Sequence, residues 1–126
     1  RSGSSRRPQS GAMDHYHIWC DLRPGAKDLE FVAAVDAMLG ALKQKGFLEG
    51  HAIARRKLGF GPSEIGEWHV HVRTRTLAQL EQAFDHVTPR TGEMERLHAA
   101  VWSRVVNFRS ALYRDFPDPN RVLESQ

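Results

Sequence analysis

The stretch Trp68-His-Val-His-Val-Arg-Thr74 alternates without a break, with Trp68, Val70 and Val72 on one parity and His69, His71 and Arg73 on the other. Side chains along a β-strand point to opposite faces with a period of two, so this run reads as a strand with one apolar face and one imidazole and guanidinium face. His15-Tyr-His-Ile-Trp-Cys-Asp-Leu22 repeats the pattern, setting Tyr16, Ile18, Cys20 and Leu22 against His15, His17, Trp19 and Asp21. A third run, Arg104 to Tyr113, sets Val106, Phe108 and Leu112 against Val105, Asn107, Arg109 and Ala111. Residues 50–58 read as a further strand. Its Ala52, Ile53, Ala54 and Leu58 do not decide which face Arg55, Arg56 and Lys57 occupy.

The connections between these runs carry helical spacing. Phe31, Val32, Val35, Leu39 and Leu42 recur with a period near 3.6, which predicts a helix from Asp28, as its cap, to Lys45, stopped by Gly46. Thr76 is placed to cap a second helix with Leu77, Leu80, Phe84 and Val87 on its stripe, and Pro89 ends it. Met94, Leu97 and Val101 predict one more short helix before the last strand. Gly59-Phe-Gly-Pro62 through Gly66 is a connection between two strands.

The expected fold class is therefore α+β: a ferredoxin-like βαββαβ antiparallel sheet with an extra short helix before the last strand. Right-handed crossovers give the spatial order four, one, three, two, which makes the two His-x-His strands central antiparallel neighbours. Any register that matches faces then gathers His15, His17, His69 and His71 on one side. Helices cover the even face alone, leaving the histidines, Trp19 and Ile53 on an open face. An uncovered sheet face with a large aromatic predicts a partner, and a homodimer packed sheet to sheet would supply it.

Length and composition bound the rest. The 126 residues, 40% hydrophobic and 26% charged, describe one domain, with residues 1–12 a disordered tail, 13–114 the folded unit and 115–126 a C-terminal arm. No apolar run has the roughly 20 residues of a membrane helix. The chain has 18 basic and 15 acidic residues, and Arg1, Arg6 and Arg7 of the tail account for the whole excess. A neutral body lacks the basic footprint of a nucleic-acid binder, and a single-stranded RNA module would also need aromatics where His69 and His71 stand. The single Cys20 excludes an intrachain disulfide and predicts a reducing, cytoplasmic setting, with the thiol buried as a small hydrophobe.

The histidine face offers the chemistry. A neutral imidazole near its usual pKa of about 6.5 serves as an acid or base near neutrality, and His17 and His69 are the candidates for proton transfer because packed strands would hold them from both sides. Trp19, His71, Arg109 and Asn107 are the candidate contacts for a small organic substrate, an anionic one included, with the guanidinium of Arg109 suited to a carboxylate or enolate. The same four histidines, His15, His17, His69 and His71, are the ligand set if a divalent transition metal binds. Ser103 and Ser110 lack a nucleophile elbow, and Glu64, Glu67 and Asp85 read as surface charges. Asp21 shares the histidine parity. Arg55-Arg-Lys57 before Gly59-Phe-Gly does not form a phosphate loop, which needs its glycines at a strand-to-helix junction.

The element order resembles the dimeric α/β-barrel superfamily, which includes small-molecule isomerases, cofactor-free monooxygenases and haem-handling enzymes. More narrowly, His17-Ile-Trp-Cys-Asp-Leu22, Arg55-Arg-Lys-Leu-Gly-Phe-Gly-Pro62 and Ala111-Leu-Tyr-Arg-Asp-Phe-Pro117 are similar to segments of an uncharacterised bacterial family. The resemblance implies the fold and the dimer. It leaves open an acid/base isomerase-like or monooxygenase-like enzyme, a His-ligated metal protein and a non-catalytic interaction scaffold.

Overall fold

A computed structural model describes residues 12–88 and 92–117. The strands are β1 (Asp14–Leu22), β2 (Gly50–Arg55), β3 (Trp68–Thr74) and β4 (Val105–Arg114), and the helices are α1 (Asp28–Gln44), α2 (Leu77–Val87) and α3 (Glu93–Trp102). The sheet order is β2-β3-β1-β4, antiparallel at every pairing, as the ferredoxin-like reading requires. The expected disorder of residues 1–12 falls, apart from Ala12, outside the described residues, as do Pro89 and most of the C-terminal arm.

The even face of the sheet carries the core. Phe31, Val35, Leu39 and Leu42 of α1 are all buried and pack with Cys20, Trp68, Val70, Val72 and Val105 of the strands. Phe31 is 1% exposed and meets the Trp68 ring edge to face at 5.3 Å. Met94 of α3 is buried, with Leu97 and Val101 against the same core, so the extra helix packs as its spacing predicts. Among the described residues no helix is long and apolar enough to cross a membrane.

Four local expectations are corrected. The cap of α1 is Lys27, with no side-chain hydrogen bond, and Asp28 is the first helical residue; its carboxylate suits the helix N-terminus and pairs with Arg55 at 3.3 Å. In α2 the buried positions are Gln79, Leu80 and Ala83, while Leu77 in the first turn is 48% exposed. Ile53 lies on the helix-covered face opposite Val70, so Gly50, Ala52 and Ala54 are the β2 residues on the open face. β2 also stops at Arg55, because Leu58 (φ 57°) and Gly59 (φ 72°) turn the chain, and Arg56 holds that loop by donating to the carbonyls of Pro62 and Ile65 at 2.8 Å each.

The face of Arg55 is thereby settled. It opposes Trp68, and its guanidinium sits 5.3 Å from the centre of that ring, at the edge of the covered side.

The start of α2 is fixed by reciprocal bonds. The Thr76 hydroxyl accepts from the Gln79 amide N–H at 3.0 Å, and the Gln79 side-chain oxygen accepts from Arg75 N–H at 2.7 Å. The Gln79 side-chain nitrogen donates to the Gly46 carbonyl at 2.9 Å and to Glu49 at 2.8 Å, joining α2 to the end of α1. Gln79→Ala is expected to lower stability by about 1–3 kcal/mol, since it leaves partly buried groups unpaired. A urea denaturation midpoint shifted downward at constant slope is the measurement that checks it.

Candidate functional site

The register between β1 and β3 pairs His15 with Arg73, His17 with His71 and Trp19 with His69. On the outer strands the same rows continue into Gly50, Ala52 and Ala54 on β2, and into Tyr113, Ala111 and Arg109 on β4. Bulky rings thus occupy the two central strands and small side chains flank the His17–His71 row. The rings of His17, His69 and His71 are nearly parallel, with His17 and His71 at 4.6 Å between ring centres and 8° between planes, and His17 and His69 at 5.1 Å and 11°, while His15 is tilted 37° from His71. Trp19 continues the stack against His69 at 5.4 Å.

Hydrogen bonds join the rings in pairs. Nδ1 of His15 lies 2.8 Å from Nε2 of His71, and Nδ1 of His17 lies 2.8 Å from Nε2 of His69. Partial burial holds His17, His69 and His71 below the usual imidazole range, and neighbouring positive groups add to this at His17 and His71. The neutral forms are therefore favoured. Among the described residues no group of three or more His, Cys, Asp or Glu side chains is arranged to hold a metal ion. Of the four histidines that the sequence reading offered to a metal, each has one ring nitrogen 2.8 Å from that of a neighbour, His15 with His71 and His17 with His69.

Asp115, just past the end of β4, reaches this face. Its Oδ1 lies 2.6 Å from Nε2 of His15, and its Oδ2 accepts from the Met13 amide at 3.0 Å. The Asp115 amide donates to the Met13 carbonyl at 3.0 Å, so the carboxylate is anchored at both ends. These bonds hold its pKa below the ordinary carboxylate value, the Met13 N–H first and His15 second.

Asp21 has a different role from the histidine partner that its parity allows. Its Oδ1 accepts from the Glu67 amide at 2.9 Å and its Oδ2 from the Asn107 side chain at 3.0 Å, and those two bonds lower its pKa. Asn107, a candidate substrate contact, sits in a β-bulge with φ 60°, and its amide is spent on Asp21. The bulge also reverses parity at the start of β4. Val105 is buried opposite Leu22, and Val106 faces the open side opposite Asp21, the reverse of the sequence assignment. Arg109 lies on the open face across from Trp19, exposed, with its guanidinium donating to the Phe108 carbonyl.

A cavity lies on the other side of the sheet. A space of about 210 Å³ lies between the even face and the helices, lined by apolar groups that include Val35, Ala83, Phe84, Val87 and Trp102, with His98 among the few polar neighbours. The Cys20 thiol borders it, and burial pushes that thiol up to about 11, which makes it inert. Periodicity placed Val35, Phe84 and Val87 on core stripes, did not mark Ala83 or Trp102, and gave no sign that these residues leave room.

Residues 13–125 match the Family of unknown function (DUF6614). The chain belongs to that family. Among curated proteins nothing matches it. Solved structures share the fold at low identity. SnoaB, a cofactor-independent oxygenase from Streptomyces nogalater, is 7% identical with a TM-score of 0.59, over 81% of this chain and 90% of that one. A DABB family protein with a ferredoxin-like fold from Mesorhizobium loti is 12% identical with a TM-score of 0.57, over 81% and 95%. A dimeric ferredoxin-like protein of unknown function from Thermobifida fusca is 10% identical with a TM-score of 0.56, over 81% and 90%. This DUF6614 chain is thus ferredoxin-like, with dimeric neighbours.

Proposed function

We propose that this DUF6614 protein is a cytoplasmic homodimer that binds a small, largely apolar organic molecule in the cavity between its sheet and its helices. The cavity carries the reading: apolar walls of that volume bind hydrophobic molecules favourably, and a few polar groups such as His98 would orient the ligand. Trp102 and Phe84, both partly exposed, border the same space, where a ligand could pass. The fold supports such a role, since a cofactor-independent oxygenase is built on it.

The second copy would pack on the open face. Parallel rings flanked by alanines form a flat platform, and Arg73 and Arg109 are offset there by Asp21 and Asp115. Trp19, His17, His69, His71 and Arg109 would then line a second, more polar compartment between the sheets, suited to a small anion. Dimeric solved neighbours support the self-association.

A titration with 1-naphthol, followed by Trp fluorescence and by melting temperature, tests the cavity. Saturable quenching with a concentration-dependent rise in melting temperature is expected. Ala83→Leu, which fills the space from α2, is expected to abolish both while leaving the protein folded. A flat titration, or one that Ala83→Leu leaves unchanged, overturns the cavity reading. Light scattering on the eluting protein tests the dimer independently: twice the chain mass supports it, and a monomer at micromolar concentration removes it.

A further inference from the structure

We propose that Asp115, His15 and His71 form an oriented hydrogen-bond relay that makes Nδ1 of His71 the proton acceptor of the open sheet face, serving a small weak acid whose conjugate oxyanion Arg73 holds. This inference is independent of the apolar cavity, which lies across the sheet.

The direction of the relay follows from proton counting. A carboxylate only accepts, so the 2.6 Å contact with Asp115 puts a proton on Nε2 of His15, and the relay is counted with one proton on each ring. Nδ1 of His15 is then bare and accepts from Nε2–H of His71 across 2.8 Å. His71 in turn keeps a bare Nδ1. The second pair, His17 and His69, is equally short but among the described residues has no carboxylate bonded at either end to select which ring donates. The asymmetry moves the proton-transfer role from His17 or His69, where strand packing alone had placed it, to His71.

The surroundings suit a base. Desolvation first, and then His17, His15, His69 and Arg73, hold His71 below the ordinary imidazole value, so it is uncharged and able to accept near neutrality. Arg73 follows on the same face of β3, directly across from His15, and its guanidinium rests over Gly50 in space that a Cβ would occupy. When a weak acid reacts here, the electron pair of its breaking bond to hydrogen stays on the acid, and the proton bonds to Nδ1 of His71. The imidazolium keeps Nε2–H on His15, and the Asp115 carboxylate balances its charge. Asp115 and His15 act as positioning residues, since neither needs to touch the acid.

Long-range nitrogen–proton correlation spectra of the 15N-labelled protein at pH 7.5 test this. His15 and His71 are both expected as Nε2–H tautomers with bare-nitrogen shifts at Nδ1. Asp115→Ala is expected to lose that signature at both rings, giving mixed tautomers, while the His17 and His69 signals and the amide dispersion stay in place. An Nδ1–H tautomer at His71 in the unmutated protein overturns the relay. Tautomers at His15 and His71 that Asp115→Ala leaves untouched overturn it as well.

Discussion

Phe31→Ala is expected to destabilise the fold by about 3–5 kcal/mol, enough to consume much of the 5–15 kcal/mol typical of a small domain. Phe31 is 1% exposed, sits in the first turns of α1, and packs against Trp68 of β3, so its loss removes both buried area and the edge-to-face contact. It also borders the apolar cavity, so the space left by its ring would merge with an existing void instead of being closed by relaxation. That places the expected cost toward the upper end of the range. Phe60→Ala is the control, because Phe60 is 78% exposed and should change stability by less than about 0.5 kcal/mol. Equilibrium denaturation of the two variants at pH 7.5 measures the difference.

The contrast between those two phenylalanines was legible from sequence, and the reason is periodicity. Phe31 lies on a stripe of period 3.6 and Phe60 between two glycines, so their fates separate without coordinates. The strand order and the face shared by His15, His17, His69 and His71 were legible in the same way, since alternation on β1 and β3 leaves few matching registers. Elements with weak alternation were not. In β2 the polar His51 and Arg55 share the parity of Ile53 while the other parity carries only Gly50, Ala52 and Ala54, so residue type marks no apolar face, and Ile53 turned inward. In β4, Val105 and Val106 are equally apolar, so nothing in their identity marks the extra residue at Asn107 that reverses parity.

The features on which the two proposals rest fell on the less legible side for a related reason. Asp115 follows the last strand, in a segment whose composition reads as an arm, yet antiparallel pairing of β1 with β4 brings it beside Met13 and His15. Extending the β1–β4 register by one residue would have found it. The cavity has no such signal. Residue types predict which side chains are buried, whereas the volume they leave depends on how α1, α2 and α3 settle on the sheet. Nor could spacing distinguish imidazoles that converge on an ion from imidazoles that bond one another, because both arrangements need the same parity.

Acidification is expected to separate the two copies of the proposed dimer and to lower the melting temperature by several degrees between pH 7 and pH 5. His17, His69 and His71 all have folded pKa values below the ordinary 6.5, chiefly through desolvation. Below pH 6.5 the unfolded chain therefore binds more protons than the folded one, and stability rises with pH across that interval. Their contribution is complete above 6.5 and drains away as pH falls through 6.5 toward the lowered values. Asp115, whose pKa is also depressed, keeps its contribution until far stronger acid, so it does not shape this window. The same protons set the fate of the interface. Near neutrality Arg73 and Arg109 on the open face are offset by Asp21 and Asp115, while β2 contributes only Gly50, Ala52 and Ala54. In the proposed dimer each imidazolium added to the open face is added twice, and like charges confronted across a desolvated interface repel strongly. Light scattering and melting curves at half-unit pH steps should show the dimer mass and the melting temperature falling together. Combined replacement of His17 and His69 by Gln should flatten both curves. A mass and a melting temperature that stay constant from pH 7.5 to pH 5 would mean that these imidazoles meet neither a second copy nor a desolvated neighbour.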